Sequence, residues 1–182
     1  VYNFQELARL HSIPQQTTSD TEIIIELYVK YGPKFLSWLN GMFTIIIVDT
    51  ISQEIFVARD RLGIKPLYMH NLNGKLMLSS EISPILDLTK REKLDLVGLR
   101  QYIKLRAFFN GRTAYESVEM FPAGSYMLSG RIHKYWSLPE GVQAPPAEDE
   151  LRDLITDSIR KRLISDVSVG SYLSGGLDST II

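Results

Sequence analysis

Met42-Phe43-Thr44-Ile45-Ile46-Ile47-Val48-Asp49 is an apolar run dominated by β-branched residues. Such residues suit a pleated backbone, and a short continuous run predicts a buried strand over 42–49. Ile51-Ser52-Gln53-Glu54 has turn chemistry, and Ile55 to Ala58 returns as a second strand, which makes a hairpin. Arg59 to Pro66 reads as a loop. Leu67 to His70 and Lys75 to Ser79 are expected to pair across Asn71-Leu72-Asn73-Gly74, because Asn-Gly tolerates the positive φ of a tight turn. Phe121-Pro122-Ala123-Gly124 is a further turn. Strands over Ser125–Leu128 and Arg131–Trp136 follow, on either side of Ser129-Gly130.

Helices flank these strands. Ser19 and Glu22 have S-x-x-E spacing ahead of an apolar run, which predicts a capping box and a helix over Asp20–Tyr31. Gly32-Pro33 ends it. Short helices are expected over Lys34–Asn40 and Glu81–Leu88. A longer one is expected over Asp95–Arg106, with Leu96, Leu99, Tyr102 and Ile103 on its apolar face. Consecutive antiparallel strands flanked by helices predict an α+β layered domain.

Leu138 to Pro146 holds three prolines and one glycine, a linker composition. Beyond it the pattern changes class. Glu150 to Leu163 is amphipathic, with Leu151, Leu154, Ile155, Ile159 and Leu163 on one face. Val167 to Leu173 reads as a strand, a Gly-Gly loop follows, and a helix should begin after it. Helix, strand, loop and helix in this order open an α/β domain. No internal repeat is visible.

Composition narrows the function. Of 182 residues, 45% are hydrophobic and 23% charged, the profile of a globular protein. A net charge of −1 gives no electrostatic case for nucleic acid or an anionic membrane. No apolar run is long enough to span a bilayer, and no secretory signal opens the chain. The absence of cysteine excludes disulfides, cysteine metal sites and a cysteine nucleophile within these residues. A cytoplasmic location is expected. His11, His70 and His133 lack ligand spacing, Trp38 and Trp136 read as packing residues, and Lys90-Arg91-Glu92-Lys93 reads as a solvated loop. The start at Val1 and the stop three residues past Ser179 suggest that both ends are cut.

Ser174-Gly175-Gly176-Leu177-Asp178-Ser179 carries the chemistry. Adjacent glycines let the backbone approach an anion, because no Cβ intervenes. The loop feeds a helix N-terminus, where free N–H groups and the dipole favour phosphate. Ser174 and Ser179 supply hydroxyls, and Asp178 is a candidate Mg²⁺ ligand. The G-x-x-x-x-G-K-[ST] phosphate loop fails here, because Gly176 stands where lysine is required. G-x-G-x-x-G is also missing.

This string resembles the pyrophosphate-binding loop of the ATP pyrophosphatase superfamily, whose members cleave ATP between its α and β phosphates. The resemblance implies that the Leu173 backbone meets the adenine side of ATP. It assigns pyrophosphate and Mg²⁺ contacts to Ser174, Gly175, Gly176, Asp178 and Ser179. Thr18-Ser19-Asp20-Thr21-Glu22 is similar to a motif of glutamine amidotransferases with an N-terminal nucleophile. There the matching aspartate binds the α-amino group of glutamine, which makes Asp20 the candidate. The helix dipole would also favour an acid at that position. Arg59-Asp60-Arg61-Leu62-Gly63-Ile64-Lys65-Pro66-Leu67-Tyr68 resembles a signature of the asparagine synthetase glutaminase domain, and its charges are expected to tie down the loop. Ser79-Ser80-Glu81 and Phe121 to Tyr126 follow in the order found in asparagine synthetases.

Together the motifs resemble an asparagine synthetase. The implied fold is an α+β N-terminal-nucleophile (αββα) glutaminase-type domain over 1–137, truncated at its start. A linker over 138–146 and the opening of an α/β adenine-nucleotide hydrolase-like domain over 147–182 follow. The implied reaction converts ATP, aspartate and glutamine to asparagine, AMP, pyrophosphate and glutamate through a β-aspartyl-adenylate. ATP and Mg²⁺ are the implied cofactors, glutamine, ATP and aspartate the substrates, and a homodimer the candidate assembly. The family nucleophile is an N-terminal cysteine, so no catalytic residue is assigned here, and residues 1–182 alone should be inactive. Val1-Tyr2-Asn3 resembles the end of a G-E-[IV]-Y-N string, which places the nucleophile upstream. Three alternatives stand: an amidotransferase acting on another carboxylate, a β-lactam synthetase relative, and a non-catalytic homologue that kept the fold.

Overall fold

The computed structural model describes residues 1–90, 92–141, 144–165 and 167–182. Strands β1 (Thr44–Val48) and β2 (Ile55–Arg59) form the expected antiparallel hairpin, with Thr44 opposite Arg59 and Val48 opposite Ile55. Its turn is held by Asp49, whose Oδ1 accepts from the N–H groups of Ile51 and Ser52 at 2.8 and 3.2 Å. Strands β3 (Tyr68–Leu72) and β4 (Lys75–Ser79) pair around Asn73-Gly74, where φ is 53° and 82°. Consecutive positive φ values are what a two-residue hairpin turn requires.

The short strand β5 (Glu119–Met120) has no sequence signal and joins the other edge of β3. Strands β6 (Ser125–Leu128) and β7 (Arg131–Lys134) complete the set. The result is two antiparallel sheets, one in the order β1-β2-β6-β7 and one in the order β4-β3-β5.

Helices cover one face of the first sheet. Helix α1 (Phe4–Leu10), which no cap signal announces, and α2 (Asp20–Tyr31) precede a 3₁₀ turn over Gly32–Ser37. Ile23, Leu27, Phe35 and Leu36 are fully buried against Ile45, Phe56 and Ala58 of the sheet. Val57 points the other way, because side chains alternate along a strand. It joins Leu67, Phe121 and Met127 in a second cluster, against which Met69 and Leu78 of the other sheet pack. Helices, first sheet and second sheet are therefore stacked layers, an α+β arrangement. Helix α3 (Ser83–Thr89) follows β4, with Pro84 in its first turn, where a missing N–H costs nothing.

Five expectations are corrected. First, β1 is an edge strand covered on one face, not a buried strand: Ile45 is buried, whereas Ile46 and Val48 are exposed. Second, the capping box does not close. Ser19 Oγ accepts from Thr21 N–H at 3.2 Å, while the Glu22 carboxylate turns back to the N–H groups of Gln16 and Thr17. The Gln16 N–H, the Thr17 hydroxyl and the Thr17 N–H hold it below the ordinary carboxylate range.

Third, helix α4 (Leu96–Leu105) forms, capped by Asp95, but its apolar face is bare, with Leu96 70% and Ile103 73% exposed. Fourth, no strand forms over 167–173, since a ladder needs a neighbouring strand and none is offered there among the described residues. Fifth, Glu92 is not solvated. It accepts from Ser117 Oγ and lies 3.7 Å from Nε2 of the buried His70. Arg91, in the same run, lies outside the described residues. Helices α5 (Glu148–Arg162) and α6 (Leu177–Ile181) close the chain, and neither has a buried residue.

Candidate functional site

Asp20 opens α2 and faces a cleft of about 680 Å³ between that helix and β1. Its Oδ2 accepts from the α-ammonium of Val1 at 2.5 Å, and its side chain keeps partial access to solvent. Ile24 and Ile46 contribute apolar wall, and Lys65 and Pro66 close one side. An apolar cleft with few charged groups suits a small polar molecule that needs orientation.

The Lys65-Pro66 wall is fixed from beneath. Arg59, 6% exposed, donates to three carbonyls: Nε to Lys65 O at 2.8 Å, Nη1 to Phe121 O at 2.6 Å and Nη2 to Gly63 O at 2.8 Å. Asp60, 1% exposed, accepts from four backbone N–H groups. Its Oδ1 takes Leu62 at 3.2 Å and Ile64 at 2.9 Å; its Oδ2 takes Lys65 at 2.9 Å and Phe43 at 3.3 Å.

Phe43 leads into β1, so one carboxylate ties the loop to the strand that floors the cleft. Buried charges persist only when their hydrogen-bonding capacity is met. Burial draws the Arg59 guanidinium below its ordinary value. Gly63 has φ +66°, and a Cβ there would come within 3.0 Å of Arg59 Cζ. Tyr135 donates to Arg59 O at 2.9 Å, and burial raises its phenol far above the ordinary range. The charges of the Arg59-to-Tyr68 string thus tie down the loop.

The second candidate is open: Leu173 to Asp178 are exposed and Ser179 is half-buried. Gly175 has φ +80°, and no atom lies within 4 Å of the place a Cβ would take, so the backbone is bare for an approaching anion. Gly176 caps α6, and the N–H groups of the first turn that follow have no carbonyl one turn back to bond. Ser174 Oγ and Ser179 Oγ lie 2.9 Å apart, so both hydroxyls sit at the helix entrance. Asp178 is the only carboxylate of the loop, and among the described residues no three His, Asp or Glu side chains gather as a metal site. The loop's backbone and hydroxyl donors fit a polyphosphate, and Asp178 would hold a cation only together with the oxygens of that ligand.

The structure therefore brings Ser174, Gly175, Gly176 and Ser179 together and sets Asp20 in a separate cleft. Lys65 in the wall is a contribution that sequence reasoning missed. It lies within the quoted loop string, but only the fold turns it toward Asp20's cleft.

Residues 1–136 match the family described as glutamine amidotransferase domain. The chain belongs to that family. Beyond the amidotransferase region, residues 150–182 match the family described as asparagine synthase. This amidotransferase chain is similar along its whole length to named relatives. It is 33% identical to the glutamine-hydrolyzing asparagine synthetase 2 of Bacillus subtilis and 34% identical to the glutamine-hydrolyzing asparagine synthetase B of Escherichia coli. It is also 33% identical to the glutamine-hydrolyzing asparagine synthetase of Zea mays. It spans 27%, 30% and 28% of those relatives' lengths, respectively. Among the described residues no helix is long and apolar enough to cross a membrane.

Proposed function

We infer that these residues serve a glutamine-dependent asparagine synthetase, in which glutamine supplies the nitrogen and ATP activates the side-chain carboxylate of aspartate. One observation carries the reading. A single chain joins an amidotransferase body, with a carboxylate poised in a cleft, to a Ser-Gly-Gly-Leu-Asp-Ser loop at a helix entrance. The proposed division is 1–137 for a glutaminase domain of the N-terminal-nucleophile type, 138–146 for a linker, and 147–182 for the start of an ATP pyrophosphatase domain. Val142 and Gln143 of that linker lie outside the described residues.

Asp20 is the residue for the α-ammonium of glutamine. Its place in an otherwise apolar cleft, with partial access to solvent, supports this, because a carboxylate so placed can form a charge-assisted pair with a primary ammonium. The chain holds no cysteine, so the attack on the glutamine amide is not performed by a cysteine among these residues. Amide hydrolysis yields glutamate and ammonia.

At the loop, the Gly175-Gly176 backbone, the Ser174 and Ser179 hydroxyls and the α6 N–H groups would hold the pyrophosphate portion of ATP. The Leu173 backbone would meet its adenine side. A carboxylate oxygen is a poor leaving group; as part of AMP it departs readily when ammonia attacks. Donors aimed at the departing pyrophosphate favour that activation step. Mg²⁺, with Asp178 as the candidate ligand, would neutralise phosphate charge. Aspartate as acceptor rests on the relatives' names.

The intact protein carrying these residues should release glutamate from glutamine and form AMP with pyrophosphate in step with amide product. Nucleotide analysis by chromatography decides it: ADP with inorganic phosphate would exclude the reading. Residues 1–182 alone should release no glutamate.

A further inference from the structure

The first three residues are pinned between two sites. Tyr2 N–H donates to Asn40 O at 2.7 Å. Asn3 grips the same stretch twice, donating from Nδ2 to Trp38 O at 3.0 Å and accepting at Oδ1 from Asn40 N–H at 2.9 Å. Val1 lines the Asp20 cleft. Its neighbour Tyr2 lines a different cavity of about 300 Å³, bounded also by Asn40, Arg61, Trp136 and Arg162.

Arg162 closes that second cavity from α5, in the region that matches asparagine synthase. Its guanidinium carbon lies 5.2 Å from the centre of the Tyr2 ring, within cation–π range. The guanidinium is aimed by its own helix: Nη1 donates to Ser158 O at 2.8 Å and to Ser158 Oγ at 2.6 Å. A cation fixed in this way loses little freedom on meeting the ring.

We propose that Arg162 is a positioning residue for the glutamine cleft, contributed by the asparagine synthase region. By holding the Tyr2 ring it fixes the backbone one residue away, where Val1 forms the cleft wall beside Asp20. The inference rests on the reading that this cleft binds glutamine. Arg162 touches no substrate in this scheme; it acts only through Tyr2.

The test uses the intact protein and two assays, glutamate release from glutamine and amide formation from added ammonia. Arg162→Met and Tyr2→Leu should each raise KM for glutamine about threefold, the size expected of an exposed cation–π contact. The double variant should be no worse than either single one, since both remove the same contact. Tyr2→Phe keeps the ring and should keep the KM. Ammonia-dependent synthesis should be unchanged throughout, which a merely structural role of Arg162 would not allow.

An unaltered glutamine KM in Arg162→Met, multiplying effects in the double variant, or an equal loss in the ammonia assay would overturn the proposal while leaving the glutamine reading in place. Absence of glutamate release by the unmodified intact protein would instead remove that reading, and the proposal with it.

Discussion

The amidotransferase body and the segment after residue 147 are both rich in apolar residues, yet only the first buries them. Ile23, Leu27, Phe35 and Phe56 are sealed between helices and sheet. Helix α5 is at least as well specified locally. It has Glu148, Asp149 and Glu150 in its first turn, basic residues in its last, and ion pairs from Arg152 to Glu148 and from Lys161 to Asp157. Those features suit the helix dipole and one-turn spacing. Even so, Leu151 and Leu154 stay exposed. Local electrostatics shapes a helix; covering its apolar stripe takes another element, and that covering supplies most of the stability.

The body should be the region that mutations can break. Phe56→Ala in residues 1–182 should cost about 3–5 kcal/mol, through lost transfer energy and the cavity left behind. Urea unfolding would measure it, and α5 helicity should be indifferent. Arg59→Met should cost about 3 kcal/mol, because the carbonyls of Lys65, Gly63 and the buried Phe121 lose their donor. It should also raise the intact protein's KM for glutamine by loosening Lys65 and Pro66. An effect on stability alone would separate the clamp from the cleft.

Asp20→Asn should leave stability nearly unchanged and raise that KM at least about tenfold, through loss of a charge-assisted pair. Leu154→Ser in residues 1–182 should fall within about 0.5 kcal/mol of the parent, as expected for an exposed site. A large cost would show that the α5 face is covered after all, and the contrast between the regions would fail.

The smallest expected effect is a pH dependence at α4. The Gly98 N–H, followed by Arg112 and then the Val97 N–H, holds the Asp95 carboxyl below the ordinary carboxylate range. An unfolded aspartate titrates at about 4. The stabilisation is therefore complete above that pH and is lost as pH falls through the lower, folded value. Protection against amide exchange at Val97 and Gly98, taken relative to the intrinsic rate at each pH, should fall only in acid, and Asp95→Asn should flatten the profile.

Much of this was legible in residues. Asn73-Gly74 and the Gly175-Gly176 pair act through their own backbone, and the Ser19 hydroxyl reaches only the N–H of Thr21, so no distant partner is needed to read them. The failures share one cause. Ser19 and Glu22 have capping-box spacing, but the N–H groups of Gln16 and Thr17 lie closer to the carboxylate and win it. Val167 to Leu173 has strand composition but no neighbour among the described residues to pair with. Glu92 sits in a charged run, yet Ser117 and His70, distant in sequence, draw it inward.

The sequence by itself determined the hairpin turns, the helix starts at Asp20 and after Asp95, and the donor-rich loop at 174–179, because those depend on φ preferences, free N–H groups and side chains within a few residues. Only the tertiary structure decided that Asp60 links a loop to β1, that β1 has one bare face, and that Arg162 meets Tyr2. Each of these is a meeting of groups far apart along the chain. Burial and pairing are properties of what the other element places there, and no local pattern encodes that.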